Sequence, residues 1–149
     1  MKSEPDVYSI DDLKKDKTVW WEGIRNYQAR NFMRDDMKLG DEVLFYHSNA
    51  TPPGVAGLAK ICKEAYPDHF ALDKKSKYFC KKSSAEKNPW CMVDVQFVKK
   101  FKELIPLGML KETPQLEGMK VIQKGSRLSI QPVEKKHYDF IIKLGSSKI

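Results

Sequence analysis

Glu42-Val43-Leu44-Phe45-Tyr46-His47 and, beyond a Pro52-Pro53 loop, Gly54-Val55-Ala56-Gly57-Leu58-Ala59-Lys60-Ile61-Cys62-Lys63-Glu64-Ala65 decide the fold. The first run is apolar almost throughout and lies between a Leu39-Gly40-Asp41 turn and polar Ser48-Asn49, which predicts a mostly buried strand. The second consists of small and β-branched residues, and Gly54 and Gly57 admit close approach of another backbone. Two adjacent central strands are implied. From Trp90 to Phe101, Val93, Val95 and Phe97 alternate with Asp94 and Gln96, the pattern of a half-exposed antiparallel strand.

Outward from these strands, helical signals appear. Ser9 heads Ile10-Asp11-Asp12-Leu13 as a hydroxyl cap before a first turn rich in acid, so a short helix should run to about Lys15. Val19-Trp20-Trp21 leads through Glu22-Gly23 into Asn26 to Asp35, where Ala29, Phe32 and Met33 have helical spacing and Asn26, Arg30 and Arg34 share another face. Pro106 suits the start of a short helix over Leu107 to Lys111. Gly125 to Ile130 reads as a turn into a further strand closed by Pro132, and a last helix spans Glu134 to Leu144. The lysine-rich stretch from Pro67 to Pro89 has weak periodicity and reads as a surface excursion. Helices mixed with short antiparallel strands predict one α+β domain over residues 1–149, with a small curled sheet or barrel flanked by helices.

Composition excludes several classes. With 149 residues, 41% hydrophobic and 32% charged, the chain can bury a core and is not disordered overall. No apolar run approaches the roughly 20 residues of a membrane helix. The polar start Met1-Lys2-Ser3-Glu4-Pro5 lacks a signal-peptide core, so an intracellular protein is expected, cytoplasmic in a bacterium and nuclear in a eukaryote. Cys62, Cys80 and Cys91 are odd in number and lack CxxC spacing, which predicts reduced thiols in or near the core. The equal steps His69, Cys80, Cys91 match no metal motif, and neither metal nor cofactor is expected. The net charge of +7 attracts polyanions, and Arg25, Arg30 and Arg34 cluster in a chain whose cations are otherwise almost all lysine.

Two groups carry candidate chemistry. Trp20 through Asn31 mixes aromatic, amide and guanidinium groups where a turn enters a helix; aromatic faces stack on bases and amides read their edges. The same spacing fits two core tryptophans beside a solvated helix face. Phe45-Tyr46-His47-Ser48-Asn49 closes an apolar strand with polar groups suited to a pocket mouth, although a lone histidine also serves as a satisfied core group. No nucleophile elbow, Walker loop, dinucleotide glycine motif or HExxH is present, so the chain is expected not to be an enzyme. The competing readings are a nucleotide- or RNA-modifying enzyme using His47 and Glu4 as acid and base, and a protein that docks on nucleic acid through its lysines alone.

Met1-Lys2-Ser3-Glu4-Pro5, Trp21-x-Gly23-x-Arg25-Asn26-Tyr27-Gln28-Ala29-Arg30-Asn31, Phe45-Tyr46-His47-Ser48-Asn49 and, further on, Pro53-Gly54-x-Ala56-Gly57, Glu64-Ala65-Tyr66-Pro67-Asp68, Met92-Val93-Asp94-Val95 and Arg127-Leu128-Ser129-Ile130-Gln131-Pro132 together resemble the EVE domain family over nearly the whole chain. The resemblance implies a PUA-like curled β-barrel of about five to six mainly antiparallel strands with peripheral helices, related to readers of methylated adenine. It also implies a non-enzymatic monomer that binds nucleic acid through a modified base, either modified cytosine in DNA or a modified base in RNA. By the same analogy, Trp20 or Trp21, Asn26, Tyr27, Tyr46, His47 and Ser48 would line an aromatic base pocket, with Ser3 and Glu4 at its wall. Lys2, Arg25, Arg30 and Arg127 would stand at the rim or face phosphate.

Overall fold

The computed structural model describes residues 1–84, 87–123 and 129–147. The central strands form where the apolar runs lie, β3 over Glu42–His47, β4 over Gly54–Pro67 and β5 over Cys91–Pro106. Two short strands complete the sheet, β1 (Lys2–Ser3) and β2 (Thr18–Trp20), giving the order β1-β3-β4-β5-β2. β1 runs parallel to β3 and every other pairing is antiparallel. The register between β4 and β5 shifts repeatedly, between Val55 and Gly57 and again toward Tyr66, and such bulges bend and twist long strands. Among the described residues the ladder is open between β1 and β2.

β3 is buried on both faces, which is why its sequence is a continuous apolar run. Val43 and Phe45 pack with Ile10 and Leu13 of α1 (Ile10–Asp16) and with Ala29 and Met33 of α2 (Tyr27–Asp35). Leu44 and Tyr46 point the other way, into a second cluster with Leu110 of α3 (Leu107–Lys111) and Tyr138 and Ile141 of α4 (Lys135–Ser147). Helices therefore cover both sides of the sheet, α1 and α2 on one and α3 and α4 on the other. α1 begins with a reciprocal capping box, Ser9 Oγ accepting from Asp12 N–H and Asp12 Oδ2 accepting from Ser9 N–H.

The predicted helix and strand positions match closely, with β5 and α4 each extending past the expected end. Two expectations change. Val19 and Trp20 lie in an edge strand rather than a connection, and the 67–89 excursion is no mere surface loop, because Asp68 within it is completely buried. Of the strand expected over 125–130, residues 125–128 lie outside the described residues, while Ser129 and Ile130 form a bend. All three cysteines are free thiols, Cys91 buried and the other two half-buried.

Gly54 and Gly57 mark where β4 meets β5 most closely: a Cβ at Gly54 would overlap the Ile105 carbonyl, and one at Gly57 the Lys99 carbonyl. Gly54→Ala should lower stability by about 1–3 kcal/mol, as overpacking against a fixed backbone does. Gly108→Ala, in α3 with open space around its Cβ, should leave the urea midpoint unchanged or raise it.

Candidate functional site

A cavity of about 470 Å3 opens between the two sheet edges, within the roughly 300–1,000 Å3 typical of small-molecule sites. The β1 edge contributes Lys2, Ser3 and Glu4, and the β2 edge contributes Val19, Trp20 and Trp21. Glu22, Gly23 and Ile24 continue the second wall, faced by Lys77 and Tyr78. Backbone hydrogen bonds occupy both edges: Trp21 N–H donates to Val93 O at 2.7 Å just past the end of β2, and Lys2 N–H, within β1, donates to Ser129 O at 2.8 Å. Trp21 is half-buried, meets Phe45 edge to face at 5.7 Å between centroids and packs on the core. Trp20 is 50% exposed and leans on His69 and Phe70. Both indoles line the cavity, one anchored inside and one at the surface.

The second wall is fixed by Asp68. Its Oδ2 accepts from Gly23 N–H at 3.0 Å and from Arg25 Nη1 at 2.9 Å, and its Oδ1 accepts from Phe70 N–H. Arg25 donates from Nε and Nη2 to the Tyr78 carbonyl, at 3.2 and 2.6 Å, which carries the Tyr78 ring against Gly23. Gly23 has φ +83° and no room for a Cβ beneath that ring, so glycine is required there on two counts.

Much of the cavity's hydrogen-bonding capacity is used within the protein. Ser3 Oγ donates to Tyr8 O at 2.6 Å, Tyr8 Oη donates to Asp16, and Glu4 accepts from Asn49 Nδ2 at 3.3 Å. Burial, with the Asp16 carboxylate beside it, raises the Tyr8 pKa well above the ordinary value. Burial lowers the pKa of Lys2 and raises that of Glu22; Asp68 adds to the Glu22 shift, while its own backbone amide, Lys77 and His69 oppose it.

Of the residues expected at a site, Lys2, Ser3, Glu4, Trp20 and Trp21 come together here. Asn26 does not line this cavity: it is the N-cap of α2, its Oδ1 accepting from Ala29 N–H. Tyr27 lies outside on Trp90 at 4.8 Å, under the Arg30 guanidinium. Tyr46 is buried in the second core cluster, with the Lys2 ammonium 5.9 Å from its ring centre. His47 Nε2 accepts from Ile10 N–H at 3.0 Å, satisfying an otherwise orphaned amide at the start of α1. Ser48 lies outside the cavity, its N–H donating to Ser3 O. Arg25 is held by Asp68 and Tyr78, Arg30 donates to Pro89 O and Asn31 Oδ1, and Arg127 lies outside the described residues. Among the described residues no cluster of three or more metal-ligating side chains occurs. Sequence reasoning did not single out Tyr78, Tyr8 or Asp68 for the site; the Tyr66-Pro67-Asp68 match was the one signal reaching any of them.

Fold and cavity define a binding module on a curled mixed sheet, its site framed by the two sheet edges. A family model described as EVE domain matches residues 1–144, and the chain belongs to that family. Human thymocyte nuclear protein 1 is 48% identical, over 97% of this chain and 72% of the human protein. A crystal structure of a Pseudomonas syringae protein is 51% identical and superposes with TM-score 0.93 over 97% of each chain. The structure of human THYN1 protein in complex with 5-methylcytosine-containing DNA is 46% identical, with TM-score 0.89 over 97% of this chain and 95% of that one.

Asp68→Asn keeps the shape but leaves the Arg25 charge without its partner, and should cost about 3 kcal/mol in a denaturant titration. His47 offers a second test. Desolvation lowers its folded pKa below the ordinary 6.5, partly opposed by Asp11. As pH falls through 6.5 and below, the unfolded chain takes up the proton first, so stability present above that window is lost with acid. His47→Gln, which keeps an acceptor for Ile10 N–H, should flatten the stability curve between pH 7 and 5 relative to the parent.

Proposed function

We propose that the chain is a single, non-enzymatic nucleic-acid-binding EVE domain spanning residues 1–149, a monomer that reads a modified base by drawing it, unstacked, into the cavity between β1 and β2. The observation that carries this is the cavity itself: its walls pair aromatic faces, Trp20, Trp21 and Tyr78, with charged groups from Lys2, Glu4, Glu22 and Lys77. Aromatic walls hold any base by stacking, and a few placed polar groups then select the edge. The complex of the similar human protein with 5-methylcytosine-containing DNA makes modified cytosine in DNA the preferred ligand, with a modified RNA base second. The charge of +7 supplies attraction to the phosphate backbone. Such a protein works where nucleic acid is, in the nucleus of a eukaryote or the cytoplasm of a bacterium, and no helix among the described residues is long and apolar enough to cross a membrane.

The acid–base pair of His47 and Glu4 is not assembled in the cavity, since His47 lies outside it and its Nε2 is held by Ile10 N–H. A reader is therefore favoured over an enzyme built on that pair.

Fluorescence anisotropy with matched oligonucleotides carrying cytosine, 5-methylcytosine or 5-hydroxymethylcytosine, as DNA and as RNA at two salt concentrations, tests the proposal. A buried methyl contributes about 0.8 kcal/mol, so 5-methylcytosine should be favoured about fourfold at both salts. Trp20→Ala, at an exposed position, should weaken binding by about 5- to 150-fold, the stacking of one base, while the melting transition stays cooperative. Affinity that falls with salt and ignores modification would sink the reader and leave a basic docking surface.

A further inference from the structure

Glu22 stands at the centre of the second cavity wall, and the backbone on either side of it is held: Trp21 N–H by Val93 O and Gly23 N–H by Asp68 Oδ2. Its carboxylate is half-buried; its own backbone N–H donates to it, and among the described residues no side chain does. The other acid of the cavity, Glu4, already accepts from Asn49, and the Ser3 and Tyr8 hydroxyl protons are given to Tyr8 O and Asp16. A half-buried carboxylate short of donors gains from any ligand that brings an N–H to it. Asp68 adds repulsion to the carboxylate, which Lys77 and His69 oppose.

Resting on the reading of the cavity as a base pocket, we infer that Glu22 is a specificity-determining residue that accepts a hydrogen bond from an exocyclic amino group of the bound base. Among pyrimidines this selects cytosine and its 5-substituted forms. Thymine and uracil present a carbonyl oxygen where cytosine carries its amino group, and a carboxylate repels that oxygen. The aromatic walls do not distinguish the two, because both pyrimidines offer the same π face. Stacking thus holds the base, and Glu22 chooses among bases of equal shape.

Thymine is the decisive probe, since it keeps the methyl group of 5-methylcytosine and exchanges only the Watson–Crick edge. Single-stranded oligonucleotides differing at one position, with 5-methylcytosine, cytosine or thymine, remove base pairing from the comparison. The wild-type protein should favour 5-methylcytosine over thymine by about 5- to 150-fold, the discrimination of one good edge contact. Glu22→Gln, whose amide can turn its NH2 toward the thymine oxygen, should reduce that ratio at least fivefold while retaining the preference for 5-methylcytosine over cytosine and a cooperative melt. An unchanged ratio in Glu22→Gln, or equal wild-type affinity for thymine and 5-methylcytosine with both above cytosine, would overturn the role of Glu22 and leave the reader intact. Absence of any wild-type preference for 5-methylcytosine over cytosine would instead overturn the reader, and the inference with it.

Discussion

The ion pair between Asp68 and Arg25 is the constraint on which the site depends. Asp68 is fully buried, and a carboxylate in that setting is tolerated only when its lone pairs are filled; here Gly23, Arg25 and Phe70 fill them at once. The Asp68 backbone carbonyl accepts from Asn88 Nδ2, and its N–H donates to Trp90 O, so both ends of the long 68–90 excursion are tied to one residue. Arg25 then carries the arrangement outward by gripping the Tyr78 carbonyl with two further N–H groups. A hydrophobic pair would hold these segments together without fixing their angle. The directed donors of a guanidinium fix both, and the wall of the cavity inherits that geometry.

The opposite wall follows from the sheet. β1 and β2 are the edges of one ladder, and edges of a twisted sheet carry unpaired backbone groups that invite further pairing. Here they are two and three residues long; Ser129 O takes the outward N–H of Lys2 in β1, and Val93 O takes that of Trp21 just past β2, which leaves little free edge. The bulges in β4 and β5 and the glycines between them let the sheet curve. The cavity lies between its edges, so the feature that makes the fold also makes the site.

What could be read from sequence divides along the range of the interaction. β3, α1, α2 and α3 were legible because their signals are local: an apolar run between turns, a Ser9 cap, the helical spacing of Ala29, Phe32 and Met33, a proline before Leu107. β1 and β2 are too short to show any period, and only pairing with distant partners makes them strands. The arginine cluster stood out by composition, yet its role was hidden, since the partner of Arg25 lies 43 residues away in a lysine-rich stretch without periodicity. His47 illustrates the same limit: polarity at a strand end marks it as notable, but only the fold shows that Ile10 N–H takes its nitrogen. Trp20 and Trp21 stood out by residue type, Lys2 to Glu4 were added by the family resemblance, and the sheet brings both segments to one cavity.

The commitment of the arginines has a consequence for how affinity and selectivity divide. Arg25 is bound to Asp68, Arg30 to Pro89 O, and Arg34 to its neighbour Asp35, so each described guanidinium already has a protein acceptor. In the proposed reader, long-range attraction to phosphate then rests on the numerous lysines, whose compact, hydrated charges act over a Debye length of roughly 8 Å at physiological salt and carry little geometric preference. Selection among bases falls, in that proposed reader, to the cavity, where dispersion against Trp20, Trp21 and Tyr78 and hydrogen bonds to half-buried groups are screened far less. On that reading the two contributions are separable: salt would weaken the first more than the second, and a change at an aromatic part of the cavity wall would alter the choice of base with little effect on the approach to the strand.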